Sequence, residues 1–306
     1  MRITDTSDRY APFQMQADAF TRELGRIHQW DIEALHRARV ASRRLREWFP
    51  LLGLDDGAAR KLGRRFRKVT RQLGTVRELD VLSLMIQDLA ADRRYPSPAL
   101  KLVGAEVADA RIVARERLIA KLPLAKMERL ARSLDRVARD LAPDDERSRG
   151  KNLRASRVWR WALDARTTLR ATRVRSAVET AGAVYVAGRL HDVRIAVKKL
   201  RYAAELLPAG GPQQAADIAV LKTAQDVLGR LHDLEVLAER VRHIVVALSP
   251  PDLTRWRQLG SLVHMLEDDC RQWHARYMHD RRQLVEIAER MGAAKPEAAP
   301  VTRLAG

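Results

Sequence analysis

A single cysteine, Cys270, stands in 306 residues, which leaves no intrachain disulfide framework and no cysteine-built zinc site. One thiol of this kind suits a reducing compartment. No run of about 18 apolar residues occurs, so no segment is expected to enter a membrane. The start, Met1-Arg2-Ile3-Thr4-Asp5-Thr6-Ser7-Asp8, lacks the apolar stretch of a signal peptide, and the expectation is a cytoplasmic protein. Glycine (15) and proline (12) are sparse, while Ala, Leu, Arg and Glu abound, a helix-favouring balance. No stretch alternates with period two, so no strands are expected. Acid is also short: 39 Asp and Glu face 57 Lys and Arg, for a net charge of +18. That excess speaks of partners rather than fold, and points to nucleic acid, an acidic surface or another polyanion.

What is present is helical periodicity from end to end. After a loose lead-in over residues 1–12, helices are expected at about 13–29, 31–52, 58–91, 97–121 and 124–141, with Asp31 capping the second. The polar run from Pro143 to Gly150 marks a boundary. Beyond it helices are expected at about 153–180, 189–207, 213–247 and 252–291, and the Ala- and Pro-rich tail from Gly292 reads as disordered. The fold class is therefore all-α, with one helical bundle over 10–142 and a second over 152–291, about four helices in each.

The two halves share a pattern. At an offset of 155, residues 35–82 align with 190–237 without a gap, and Gly74 meets Gly229 while Val81-Leu82 meets Val236-Leu237. An internal duplication with pseudo-symmetric bundles follows. The alignment centres on two basic helices. At about 100° per residue, His36, Arg39, Arg43 and Arg46 share one stripe, with Ala38, Ala41, Leu45 and Trp48 behind them. His191, Arg194, Lys198 and Arg201 repeat that stripe. Crowding like charges costs free energy, and a phosphate-rich chain relieves it; arginine in particular meets phosphate oxygens with a planar fork.

Other positions support the stripes. Arg60, Arg64, Arg67 and Arg71 share a sector of the next helix, and residues 36–77 hold 13 Lys or Arg against 3 acids. Packed antiparallel, the two helices would border one groove. Asp80 and the matching Glu235 lie toward the apolar side, where a carboxylate needs a buried partner, so both are read as holding arginines or histidines in place. Glu78 and Asp233 are read likewise from the wetter side. Gly74 and Gly229 are expected to permit close helix approach.

The run His36-x-x-Arg39-x-x-x-Arg43-Arg44-x-Arg46, followed by Leu73-Gly74-Thr75-Val76-Arg77-Glu78-Leu79-Asp80-Val81, resembles the CHAD family, the histidine-containing α-helical domain. Leu221-Lys222-Thr223-Ala224-Gln225-Asp226-Val227-Leu228-Gly229 is similar to that family's second repeat, and the resemblance runs over about 10–290. It implies two four-helix bundles around a basic cavity that binds inorganic polyphosphate, and association with polyphosphate granules in some members. By position, the implied ligand set is His36, Arg39, Arg43, Arg44, Arg46, Arg67, Arg71 and Arg77. From the second half come His191, Arg194, Lys198, Lys199, Arg201 and Lys222. Departures exist: His232 stands opposite Arg77, and Ala215, Ala219 and Asp226 interrupt the second arginine stripe, which predicts a lopsided groove.

Rival functions weigh less. The Glu-x-Glu-x-Lys mark of the triphosphatase domain fused to many relatives is absent from this sequence. His191-Asp192, His232-Asp233 and His279-Asp280 resemble pairs in metal phosphohydrolases, but Arg37 replaces Asp192 in the first copy. The expectation is a binding protein without catalytic residues, metal or cofactor. RNA or single-stranded DNA is the second choice of partner, since phosphate contacts alone hold either. Single-strand binders, however, interleave aromatics for stacking, and Tyr202 is the one aromatic on these stripes.

Overall fold

The architecture comes from a computed structural model, which describes residues 7–293 apart from 53, 55, 143–148, 208–210 and 249. Ten α-helices and no strand are found among the described residues. They are α1 (Ser7–Thr21), α2 (Leu24–His28), α3 (Ile32–Trp48), α4 (Asp56–Ala91) and α5 (Ser97–Lys121). α6 (Leu124–Leu141), α7 (Arg149–Ala181), α8 (Ala187–Ala204), α9 (Pro212–Ala247) and α10 (Leu253–Ala293) complete the order. The expected disordered tail beyond Ala293 and most of the 143–150 boundary lie outside the described residues.

Two local readings need correction. The first helix begins at Ser7 rather than near Phe13, with Pro12 inside it. Proline already has a helical φ, and at the sixth position of the helix it forfeits one intrahelical N–H bond. The expected single helix over 13–29 is also broken between Thr21 and Leu24. There Glu23 turns inward, and Arg37 donates to its two carboxylate oxygens at 2.8 and 3.2 Å. Asp31 does cap α3: its Oδ1 accepts from the Ala34 amide at 2.9 Å.

α7, α8, α9 and α10 close a four-helix bundle in which each packs on the next and α10 returns to α7. In the first half α1, α3, α4 and α5 pack in succession, and α6 closes against α1. Leu35, Ala38, Leu45 and Trp48 of α3 are fully buried, the apolar stripe doing what its 3.6-residue spacing dictates. Phe20, Phe49 and Phe66 meet edge-on or tilted at 5.2–5.3 Å.

The first core does not stop at the boundary. Trp48 stacks on Trp159 of α7 at 6.0 Å, and Leu234, Leu237, Leu259 and Leu266 belong to the same apolar cluster as Phe13 and Phe66. α9 and α10 are 36 and 41 residues long, about 54 and 60 Å at 1.5 Å per residue, so each threads both cores. Along the seam α3 meets α8, and α4 meets α9. Helices that align at the offset of 155 thus face one another.

Candidate functional site: a basic seam and an adjoining basin

The α3–α8 contact sets the two cationic stripes side by side. Arg39 is half-buried and pushed down to about 10, first by desolvation and then by Arg43, Arg194 and Arg77. Lys198 is pushed down to about 7 by burial and then by Arg43, Arg194, Arg39 and Lys199. Burial lowers Arg43 as well, and Arg194, Arg201 and Arg44 add to the effect. His36 and His191 both fall below the ordinary histidine range, mainly through burial, with Arg77 next at His36 and His232 next at His191. Mutual depression of this kind requires proximity, so residues 155 positions apart share one patch.

Much of the donor capacity in that patch is unused. His36 Nδ1, Arg77 Nη1 and the Nε atoms of Arg39, Arg43, Arg194 and Arg201 are buried with no hydrogen-bond partner among the described residues. Two neighbours are committed elsewhere: Arg44 donates to Glu205 at 3.0 Å, and Arg201 reaches the same carboxylate at 3.4 Å. Tyr202 is 4% exposed, and the guanidiniums of Arg43 and Arg201 lie 5.8 and 5.1 Å from its ring centre. Gly74 does not bring two helix backbones together as expected. A Cβ there would meet the Arg39 guanidinium at 3.4 Å, while Gly229 has nothing within 4 Å.

The acids around the seam have separate tasks. Asp80 is wholly buried and faces Arg115 and Arg111 of α5 at 3.5 and 3.8 Å. Burial raises its pKa, and Arg115, Arg111 and Arg77 pull it back. Glu235 accepts from the Tyr185 hydroxyl at 2.7 Å and lies 3.8 Å from His232 Nδ1. The His232 and His191 rings are 4.9 Å apart. Asp233 is raised chiefly by burial; Arg194 and His232 oppose the shift, and Glu78 adds to it.

Beside the seam lies a hollow of about 580 Å³. Arg46 of α3, Arg60, Arg64 and Arg67 of α4, and Lys199 of α8 line it together with Arg166 and Arg170 of α7. Among the described residues Glu47 is its one carboxylate. The α7 arginines escaped the sequence reading. Their spacing (166, 170 and, one turn on, Arg173) is helical, but Ala11, Met15 and Asp18 occupy the matching first-half positions, so the duplication gave no signal. Arg71 and Lys222 are exposed, and their side chains form no ion pair or hydrogen bond among the described residues. The implied ligand set thus divides among seam, basin and open surface.

A model of the CHAD domain matches residues 13–242, three-quarters of the chain. The chain belongs to the CHAD family. Two solved structures resemble it across nearly their full lengths. PptA from Streptomyces chartreusis shares 17% identity at a TM-score of 0.63, covering 92% of this chain and 99% of that one. The CHAD domain from the plant Ricinus communis shares 22% at 0.58, covering 95% and 92%. At such identities the likeness is one of fold. No curated protein gives a significant match.

In this CHAD protein the matched span includes both basic helices and most of α9, while α10 lies beyond it. No helix among the described residues is long and apolar enough to cross a membrane. No group of three or more His, Cys, Asp or Glu side chains stands ready to hold a metal ion among them either.

Proposed function

We propose that this CHAD protein binds inorganic polyphosphate along the α3–α8 seam. One observation carries the reading: two cationic stripes from separate halves face each other, with buried N–H groups aimed at no protein acceptor. Such an arrangement is costly when empty and favourable when an anion supplies oxygens along its length. The α3 stripe from His36 to Arg46 spans about 15 Å, enough for several successive phosphates. The role proposed is binding without chemistry on the ligand, and association with polyphosphate granules follows from it.

Nucleic acid is the rival, and Tyr202 weighs against it. Base stacking needs an exposed ring, and this one is buried beneath two guanidiniums. Competition between long-chain polyphosphate and single-stranded RNA at fixed salt tests the choice. Polyphosphate is expected to win, and Arg39→Ala with Arg194→Ala to weaken it about tenfold or more while circular dichroism stays helical. Preference for RNA, or unchanged affinity in the folded double variant, overturns the proposal.

A further inference from the structure

We propose that the basin beside the seam is a distinct phosphate site that takes the end of a chain, and that Glu47 occupies the terminal phosphate's place in the free protein. This inference rests on the polyphosphate reading above and assigns a role to Glu47, Arg166 and Arg170, which that reading does not use.

The basin adjoins the seam along two helices. Arg46 lies one turn past Arg43 on α3, and Lys199 follows Lys198 on α8. Lys198 is depressed by Arg43, Arg194 and Arg39, whereas Lys199 responds to burial and then Arg170, with Glu47 pulling the other way and Arg173 and Arg46 adding. Of the two adjacent lysines, Lys199 lines the basin and Lys198 does not.

Among the described residues Glu47 is the only acid lining a hollow with seven cations. Its Oε2 accepts from Arg166 Nη2, and Arg170 Nη2 lies 3.5 Å away. The Nε atoms of Arg166 and Arg170 are buried without a hydrogen-bond partner among the described residues, so one carboxylate leaves part of both guanidiniums unused. A phosphate offers the same charge-assisted geometry with more acceptor oxygens. Ends and middles of a phosphate chain differ in the relevant way. An internal phosphate has two non-bridging oxygens and one charge; a terminal one has three and a second ionisable group, with pKa near 6 in phosphate monoesters. The densest cation cluster suits the densest anion.

Two small probes separate ends from middles: linear tripolyphosphate has two ends, and cyclic trimetaphosphate has none. Calorimetric titration of the full chain with each, beside long-chain polyphosphate, tests the assignment. Because the ring also carries less charge, the deciding comparison is between variants. Wild type is expected to prefer the linear probe at least tenfold. Arg166→Gln with Arg170→Gln (or Arg170→Gln alone, should the pair unfold) is expected to erase most of that preference. The same variant should lose clearly less long-chain affinity than the seam variant does. Arg39→Ala with Arg194→Ala is expected to do the reverse. Glu47→Gln should bind tripolyphosphate severalfold tighter. A folded basin variant with its preference intact overturns the chain-end site; unchanged or weaker binding by Glu47→Gln overturns the stand-in. Failure of the seam variant to lose long-chain binding strikes the parent reading instead, so the failures are distinguishable.

Discussion

Arg39 lies across Gly74. The guanidinium fills the space a side chain at 74 would need, with Nε 3.4 Å from the ideal Cβ position. Glycine inside a helix costs about 0.5–1 kcal/mol relative to alanine, so the position sacrifices helix stability to seat a cation. Gly229 aligns with Gly74 but has open space around it. The pair forms a matched experiment. Gly229→Ala is expected to raise stability by about 0.5–1 kcal/mol and leave polyphosphate affinity alone. Gly74→Leu, by displacing Arg39, is expected to weaken binding about tenfold. Thermal melts and titrations on both variants check this, and equal effects at the two positions would count against it.

Polyphosphate affinity is expected to rise as pH falls from about 9 to 7. In the free protein Lys198 sits near 7, held down by burial and by Arg43, Arg194, Arg39 and Lys199. Above that pH it is largely neutral, and a bound anion restores its usual basicity, so binding takes up a proton. Below about 7 the lysine is already charged and its contribution levels off. His36 and His191, both depressed, add a second rise at lower pH. Lys198→Arg should flatten the upper limb. Lys198→Met should weaken binding, and below about pH 7, where the lysine is charged among like charges, it should stabilise the free protein. Titrations across pH 6–9 in matched buffers read this out.

Asp80 and Glu235, although matched in sequence, are expected to differ in what their removal costs. Asp80→Ala strands Arg111 and Arg115 against a buried site and is expected to cost about 3–5 kcal/mol. Glu235→Ala leaves chiefly the Tyr185 hydroxyl without its acceptor, a loss of about 1–3 kcal/mol. Urea unfolding of the two variants side by side decides it; the order should not invert.

Salt should weaken the complex steeply. If behaviour on nucleic acids transfers, log affinity falls by roughly 0.7–0.9 per log unit of salt for each phosphate neutralised. Arg39→Ala with Arg194→Ala is expected to reduce that slope by more than one, since two cations leave the seam. A slope identical to wild type would mean these arginines do not touch the chain.

The sequence carried the helices and their faces, because periodicity reports what lies on each side of a single helix. Leu35, Ala38, Leu45 and Trp48 were legible as the buried side of α3, and Asp80 as a carboxylate in need of a buried partner. Pro12 and Glu23 misled the reading of the first helix for opposite reasons: a proline that helix tolerates, and a polar residue turned inward to Arg37. The offset of 155 singled out Arg39 with Arg194 and Arg43 with Lys198 as sets, though not what they face.

Only the tertiary structure decided how those faces meet. It placed α3 against α8, so that stripes far apart in the chain depress one another's basicity. It also sent Arg46, Arg67 and Lys199 to a neighbouring basin while Arg71 and Lys222 stayed on the surface. It added Arg166 and Arg170, which have no echo in the first half, and it gave Gly74 a task Gly229 lacks. The reason is physical: a side chain's helical phase is set by residues three and four positions away, but its electrostatic company is set by whichever helix packs opposite, and that depends on the whole core.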